Sequence, residues 1–166
     1  MNGAKFRQDI LPLTQKIYPM VYRMLGNKED AHDAVQEVML KLWDKRKQLN
    51  NHPNVTGFVL LTAKNHCLDL LKKRHPLFVN AADYESADHH NSQKEIEWKE
   101  LNGIIREMLM ELPESQREVL AMRDLDGLEY SEIADTTGLK IEHVRVLLSR
   151  ARKQIGSKLK KIYSYE

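Results

Sequence analysis

The sequence predicts an all-α protein of two small helical domains joined by a flexible linker. Three observations carry that expectation. Apolar residues recur at intervals of three and four, strand-like alternation is absent, and a polar stretch without core periodicity, Val79 to Ser92, separates two periodic halves. The 166 residues are 42% hydrophobic and 30% charged, which places the chain among globular rather than disordered proteins. The expected division is residues 1–78, a linker at 79–94, and residues 95–166.

The first helix is expected over about Lys5 to Leu25, with Ile10, Leu13, Ile17, Val21 and Leu25 on one face. Pro19 lies within it and predicts a kink or break near Tyr18. Gly26 reads as its stop and Asn27 to Asp30 as the next start. The second helix, about Lys28 to Leu49, has an apolar stripe of Ala31, Ala34, Val35, Val38, Met39, Leu42 and Trp43. Asp33, Gln36, Glu37 and Lys41 fall on its other faces. Asn50 to Asn54 marks a loop, and a third helical region, continuous or broken, covers about Val55 to His75 until Pro76 stops it.

Beyond the linker, helicity resumes at Gln93 with Ile96, Leu101, Ile104, Ile105, Met108 and Leu112. Leu112-Pro113 breaks it, and Ser115 to Glu118 has the spacing of a capping box for a short helix reaching about Leu125. Asp126-Gly127 then turns the chain into a helix-turn-helix pattern. Small Ala134 allows close helix approach, Gly138 supplies a left-handed turn residue, and Leu139 and Val144 fill the angle between the helices. That packing holds the second helix out in the pose that enters a DNA major groove.

Charge is unevenly spread. Residues 1–80 carry 13 Lys/Arg against 7 Asp/Glu, residues 81–134 carry 5 against 14, and residues 135–166 carry 8 against 3. Two basic ends around an acidic middle suggest two nucleic-acid-facing surfaces. The acidic middle is expected to keep the free protein from binding DNA indiscriminately and to offer the basic ends something to fold back on. A single cysteine, Cys67, excludes an intrachain disulfide; with Leu68, Leu70 and Leu71 as apolar neighbours, it reads as a buried, inert thiol rather than a redox sensor. No apolar run reaches membrane-span length and the start has no signal-peptide hydrophobic region, so no membrane insertion is expected. His89-His90 among Asp83, Glu85 and Asp88 lacks a fixed geometry, so no metal is expected. No phosphate loop and no nucleophile–base pair appears, so neither catalysis nor a cofactor is expected.

Three blocks together carry a resemblance. Glu29 to Trp43 resembles region 2.2 of extracytoplasmic-function (group IV) sigma factors, Phe58 to Lys73 resembles their regions 2.3 and 2.4, and Leu112 to Arg152 resembles region 4. A helix-turn-helix alone singles out no family; three blocks in this order and at this length do. The resemblance implies an N-terminal region 2-like bundle and a C-terminal region 4-like helix-turn-helix domain.

By that resemblance, Asp33, Gln36 and Glu37, with Leu40 and Trp43 nearby, dock on a coiled coil of the largest subunit of core RNA polymerase. Acceptors of this kind suit an Arg-rich partner. Asn54, Phe58, Lys64, Asn65, Asp69, Lys72, Lys73 and Arg74 are the candidates for the promoter −10 element, the charged members falling on or near one helical surface. Capture of an extruded base offsets the few kcal/mol of unstacking. Phe58 stands where many relatives have Trp, and reads equally as core; Leu61 stands where many have Arg. Lys140, Glu142, His143, Arg145, Val146, Arg150 and Arg152 are the candidates for the −35 element. Arg145 and Arg150 match groove-facing positions, whereas Arg152 and Lys153 suit phosphate or solvent. Val146 and Leu147 replace polar residues, and three readings stay open: contact with thymine methyls, packing on the preceding helix, or weakened DNA binding.

The implied function is a promoter-specificity subunit of bacterial RNA polymerase, cytoplasmic and non-enzymatic. Its implied partners are promoter DNA, core polymerase (including the flap of the second-largest subunit) and an anti-sigma factor. Two rivals stand beside it: a dimeric helix-turn-helix regulator that binds DNA unaided, and a non-DNA adaptor that holds polymerase or an anti-sigma protein without directing transcription to promoters.

Overall fold

The computed structural model describes residues 1–74 and 103–164. Among them every regular element is helical, as the three-and-four periodicity requires. The expected linker, the helix start at Gln93 and the His89-His90 cluster lie outside the described residues.

The N-terminal half contains α1 (Gly3–Asp9), a 3-10 turn (Leu11–Leu13), α2 (Thr14–Leu25), α3 (Lys28–Asp44), α4 (Arg46–Leu49) and α5 (Val55–Arg74). The break expected at Pro19 falls instead at Ile10–Leu13, where Pro12 opens the 3-10 turn, while α2 runs unbroken through Pro19. The reason is orientation. Pro19 and Gln15, whose carbonyl loses its helical partner, both lie on the exposed side of α2, where solvation offsets the missing bond. Gly26 ends α2 at φ 73°, and the Asn27 side chain accepts from the Glu29 and Asp30 N–H groups to start α3. The second expected helix is likewise two, α3 and α4, meeting at Lys45.

Ala31, Ala34, Val38 and Leu42 on α3 are buried against Ile17, Met20 and Val21 on α2 and Val59, Leu60 and Ala63 on α5. Two alanines on the α3 stripe allow close helix approach, and the larger residues fill the remaining volume. Trp43 departs from the expected stripe: it is 37% exposed and lies at the rim, its ring edge-on to Phe6 at 5.0 Å.

The C-terminal half contains α6 (residues 103–110 as described), α7 (Glu114–Leu120), a π-turn (Ala121–Leu125), α8 (Tyr130–Thr137) and α9 (Ile141–Tyr163). The capping box expected at Ser115 does not form. Pro113, already extended at φ −52° and ψ 144°, is the N-cap, so Ser115 lies inside α7. The Glu118 carboxylate pairs with Lys64 on α5 instead. A capping contact occurs one helix later, where the Glu129 N–H donates to Glu132 at 2.8 Å.

In the π-turn the Asp126 N–H donates to the Ala121 carbonyl at 3.0 Å. The Asp124 and Asp126 carboxylates then go to different partners, Arg152 on α9 and Arg23 on α2. Gly127, at φ 71°, completes the reversal. The helix-turn-helix forms as expected: Gly138 caps α8 at φ 75° with its N–H on the Ala134 carbonyl, and α9 begins at Ile141. Val144, Leu147, Leu148 and Ala151 are buried at helical spacing, while Leu139 is partly buried beside them.

The halves are in contact. Gly57 on α5 meets α8 so closely that a Cβ there would lie 2.8 Å from the Asp135 Cβ. Arg23 also donates to Asp126 through Nε at 2.8 Å and Nη2 at 2.7 Å, and the carboxylate is only 1% exposed. Removing one member of such a buried pair costs about 3–5 kcal/mol, chiefly because the other is stranded.

Candidate functional site

Three surfaces gather the residues singled out by sequence. On α3, Asp33, Gln36, Glu37, Leu40 and Trp43 are all exposed, and their spacing places them on one stripe opposite the buried alanines. Leu40 is 65% exposed, a large apolar side chain left in solvent beside three polar ones. The Arg46 guanidinium lies 4.4 Å from the Trp43 ring centroid, on a ring also packed by Phe6.

Sequence reasoning missed the support beneath this stripe. His66, buried on α5, accepts at Nδ1 from Lys41 Nζ at 2.7 Å, which places the ring proton on Nε2. Nε2 lies 3.0 Å from a Glu37 carboxylate oxygen, but without hydrogen-bond alignment. The contact joins α3 to α5 across residues far apart in sequence, which no local pattern announces.

Burial, reinforced by the Lys41 charge, lowers the His66 pKa below its usual 6.5, against the opposing pull of Glu37 and Asp69. The folded protein therefore holds His66 neutral, whereas the unfolded chain takes up a proton near the ordinary value. This contribution to stability is complete above pH 6.5 and is lost as pH falls from there towards the lowered folded value. Thermal melts from pH 7.5 down to 5 should show a drop in Tm that is shallower in His66→Gln. Equal slopes in the two proteins would refute the assignment.

On α5 the candidates separate into groups. Asn65, Asp69, Lys72 and Lys73 share an exposed face, whereas Lys64 and Arg74 are turned away from it. Lys64 pairs with Glu118 of α7, and Arg74 with Asp30 of α3 at 2.9 Å. The single surface expected for these groups is thus divided by helix phase. Asn54 accepts the Gly57 N–H at 2.9 Å, capping the start of α5, and its side-chain amide donates to Asp135. Phe58 is half-buried against His52, with ring centroids 5.0 Å apart. Cys67 is fully buried and its thiol is pushed up to about 12 by desolvation, in line with an inert role.

On α9, Glu142, His143, Arg145, Val146 and Arg150 are exposed, as is Lys140 just before it. The Val146-Leu147 departure separates by helix phase: Leu147 is 5% exposed and packs inward, while Val146 is 44% exposed on the outer face. The Arg145 guanidinium is exposed and lies 5.5 Å from the ring of Tyr130 at the start of α8. Arg152 is held by Asp124 through bonds of 2.6 and 3.2 Å, and that acceptor raises its pKa. Further along, Arg150, Lys153 and Lys161 line a shallow groove and continue the basic surface, while Lys158 beside them pairs with Glu111.

Among the described residues no group of His, Cys, Asp or Glu is arranged to hold a metal ion, and no helix is long and apolar enough to cross a membrane. The chemistry on offer is surface recognition: an acidic and apolar stripe on α3, and basic faces on α5 and α9.

Two family models match the chain: sigma-70 region 2 over residues 12–76 and sigma-70 region 4 over residues 102–155. Among curated relatives, the chain is 29% identical over 151 residues to the ECF RNA polymerase sigma factor SigE of Mycolicibacterium smegmatis, covering 88% of this chain and 58% of that one. It is 27% identical over 174 residues to the RNA polymerase sigma-H factor of Pseudomonas aeruginosa, covering 95% and 89%. Among solved structures, the sigma factor RpoE of Bartonella quintana, in complex with the anti-sigma factor NepR, has a similar fold. Its TM-score is 0.61 at 20% identity, covering 94% of this chain and 97% of that one. With both conserved regions matched in order, the chain belongs to the sigma-70 family of RNA polymerase sigma factors, in its extracytoplasmic-function group, whose members direct polymerase to promoters and are not enzymes.

Proposed function

We propose that the α3 stripe docks on the coiled coil of the largest core polymerase subunit, that α5 and the loop before it engage and help melt the −10 element, and that α9 reads the −35 element. The observation that carries the reading is the stripe itself: Asp33, Gln36, Glu37, Leu40 and Trp43 are exposed together on one face. An exposed leucine and tryptophan beside aligned polar side chains suit a protein interface. The outward placement of Arg145, Val146 and Arg150 supports the −35 assignment. In this reading residues 1–78 form the polymerase and −10 domain, 79–94 the linker and 95–166 the −35 domain, with contact to the polymerase flap. The site of action is the cytoplasm, where polymerase and chromosome lie. A cognate anti-sigma factor completes the set of partners; a solved relative of this fold is bound to one.

Run-off transcription with core polymerase and a promoter panel tests the reading. Promoter-dependent transcripts are expected only when core enzyme and this protein are both present. In the same assay Arg145→Ala should relax discrimination at one −35 position, by about 1–3 kcal/mol for a lost bidentate base contact. Its association with core should remain unchanged; loss of core association would contradict a base-reading role for Arg145.

A further inference from the structure

We propose that His66 is a positioning residue for core-polymerase docking. Its buried ring stands between Glu37 and Lys41, holds the lysine off the carboxylate, and so keeps Glu37 free as an acceptor on the α3 stripe. The inference rests on the proposed role of that stripe in docking.

His66 occupies a place where helix spacing calls for an apolar side chain. Val59, Ala63 and His66 follow one another along the buried face of α5, and His66 is only 6% exposed. A leucine there would fill the space with no polar group to satisfy, whereas a buried imidazole has two nitrogens that need partners. Nδ1 takes the Lys41 ammonium at 2.7 Å. Nε2 faces a Glu37 oxygen at 3.0 Å without making a hydrogen bond to it or to another group. The ring therefore meets both charged side chains and leaves the carboxylate's acceptor sites open.

Glu37 and Lys41 are four residues apart on α3, with the acid on the N-terminal side, the arrangement in which a helix ordinarily closes an ion pair. Among the described residues the two are not paired with each other: Lys41 is turned onto the ring, and the ring is what lies beside Glu37. The Glu37 side chain stays 57% exposed. Paired with its own lysine, that carboxylate would offer less charge to a cationic partner, and Lys41 would bring a like charge towards the same partner. Beside an uncharged ring, Glu37 is oriented without being neutralised. Protonation would invert the arrangement. An imidazolium donates at both nitrogens, so the Lys41 bond is lost and Nε2 closes an ion pair on Glu37. Among the described residues the charges that act on the ring are Lys41 and Glu37 of α3 and Asp69 of its own helix; α2 and α8, which also pack on α5, add none.

The test titrates the labelled full chain with core RNA polymerase and reads fluorescence anisotropy, with circular dichroism melts to establish folding. His66→Leu, which fills the site but has neither nitrogen, is expected to bind core about tenfold more weakly. His66→Gln, which keeps one acceptor and one donor, should recover most of that loss. Adding Lys41→Gln to His66→Leu should recover it as well, because the competing cation is gone; a lost packing contact would not be mended by that change. Should the leucine variant fail to fold, His66→Met carries the same comparison. Wild type also gives a readout without any change at His66: between pH 7.5 and 5.5 its affinity for core should fall more steeply than that of Glu37→Gln. Wild-type affinity in a folded His66→Leu or His66→Met protein, a loss that Lys41→Gln leaves in place, or equal pH slopes would each overturn the positioning role. Failure of the docking reading looks different: Glu37→Gln would bind core as wild type does at pH 7.5, which would remove Glu37 from the interface and the role of His66 with it.

Discussion

Changing Asp33, Gln36 and Glu37 together to alanine is expected to weaken association with core RNA polymerase by about a hundredfold or more while leaving the fold intact. The fold should survive because all three side chains are exposed and alanine is the best helix former. Substitutions at such positions usually change stability by no more than about 0.5 kcal/mol each. Association should not survive, because each acceptor to a charged donor is worth roughly 1.5–3 kcal/mol. Even the lower end, summed over three and discounted for non-additivity, exceeds the roughly 2.8 kcal/mol that separates hundredfold-different affinities. The measurement is fluorescence anisotropy of labelled protein titrated with core enzyme, alongside circular dichroism. Core binding at wild-type strength would remove the stripe from the docking assignment. Leu40→Ala is a useful companion: 65% exposed in the free protein, it should be silent in melting and visible only in binding.

Leu148→Ala is expected to destabilise the protein by about 3 kcal/mol, within the roughly 2–5 kcal/mol range for a buried leucine. For a chain of this size that lowers Tm by about 6–12 °C. Leu148 is 2% exposed and lies with Val144, Leu147 and Ala151 on the face that seats α9. Its loss leaves a cavity under the helix that is to read DNA. Val146→Ala, two residues away on the outer face, should change stability by less than about 0.5 kcal/mol and alter only −35 preference. Thermal melts of the two variants decide the matter; equal losses would mean that α9 sits on its core with another phase.

What could be read from the sequence follows from the range of the interactions involved. The helix-turn-helix is specified by neighbours: Gly138 has to adopt positive φ, and Val144, Leu147, Leu148 and Ala151 recur at helical spacing. The α3 stripe is equally local, since burial of Ala31, Ala34, Val38 and Leu42 leaves Asp33, Gln36, Glu37 and Leu40 outside. The prolines were not legible in the same way. Pro12 and Pro19 carry the same chemistry, and the backbone breaks only at the one beside which no helix continues. Whether the lost bond at Pro19 matters depends on which side of α2 meets water, and its neighbours in sequence do not say.

The −10 candidates show the same limit. Helix phase groups Asn65, Asp69, Lys72 and Lys73 and sets Lys64 and Arg74 apart, but only the packed α7 and α3 supply Glu118 and Asp30 as their partners. α5 is packed by α2 and α3 and again by α8, so its apolar residues do not form one simple stripe. Glu118 had been expected to cap its own helix, and a cation on α5 took it instead.

The sequence by itself determined the all-helical class, the turn that sets α9, the buried and exposed faces of α3, and the order of three blocks. These depend on φ preferences and on periodicities of three and four, which act within a few residues. Only the tertiary structure decided which charges are free. Arg23 and Asp126, Lys64 and Glu118, and Lys41 and His66 are brought together by packing across tens of residues. A charged side chain carries no local mark of its partner, because a long-range electrostatic contact is selected by the geometry of the assembled helices.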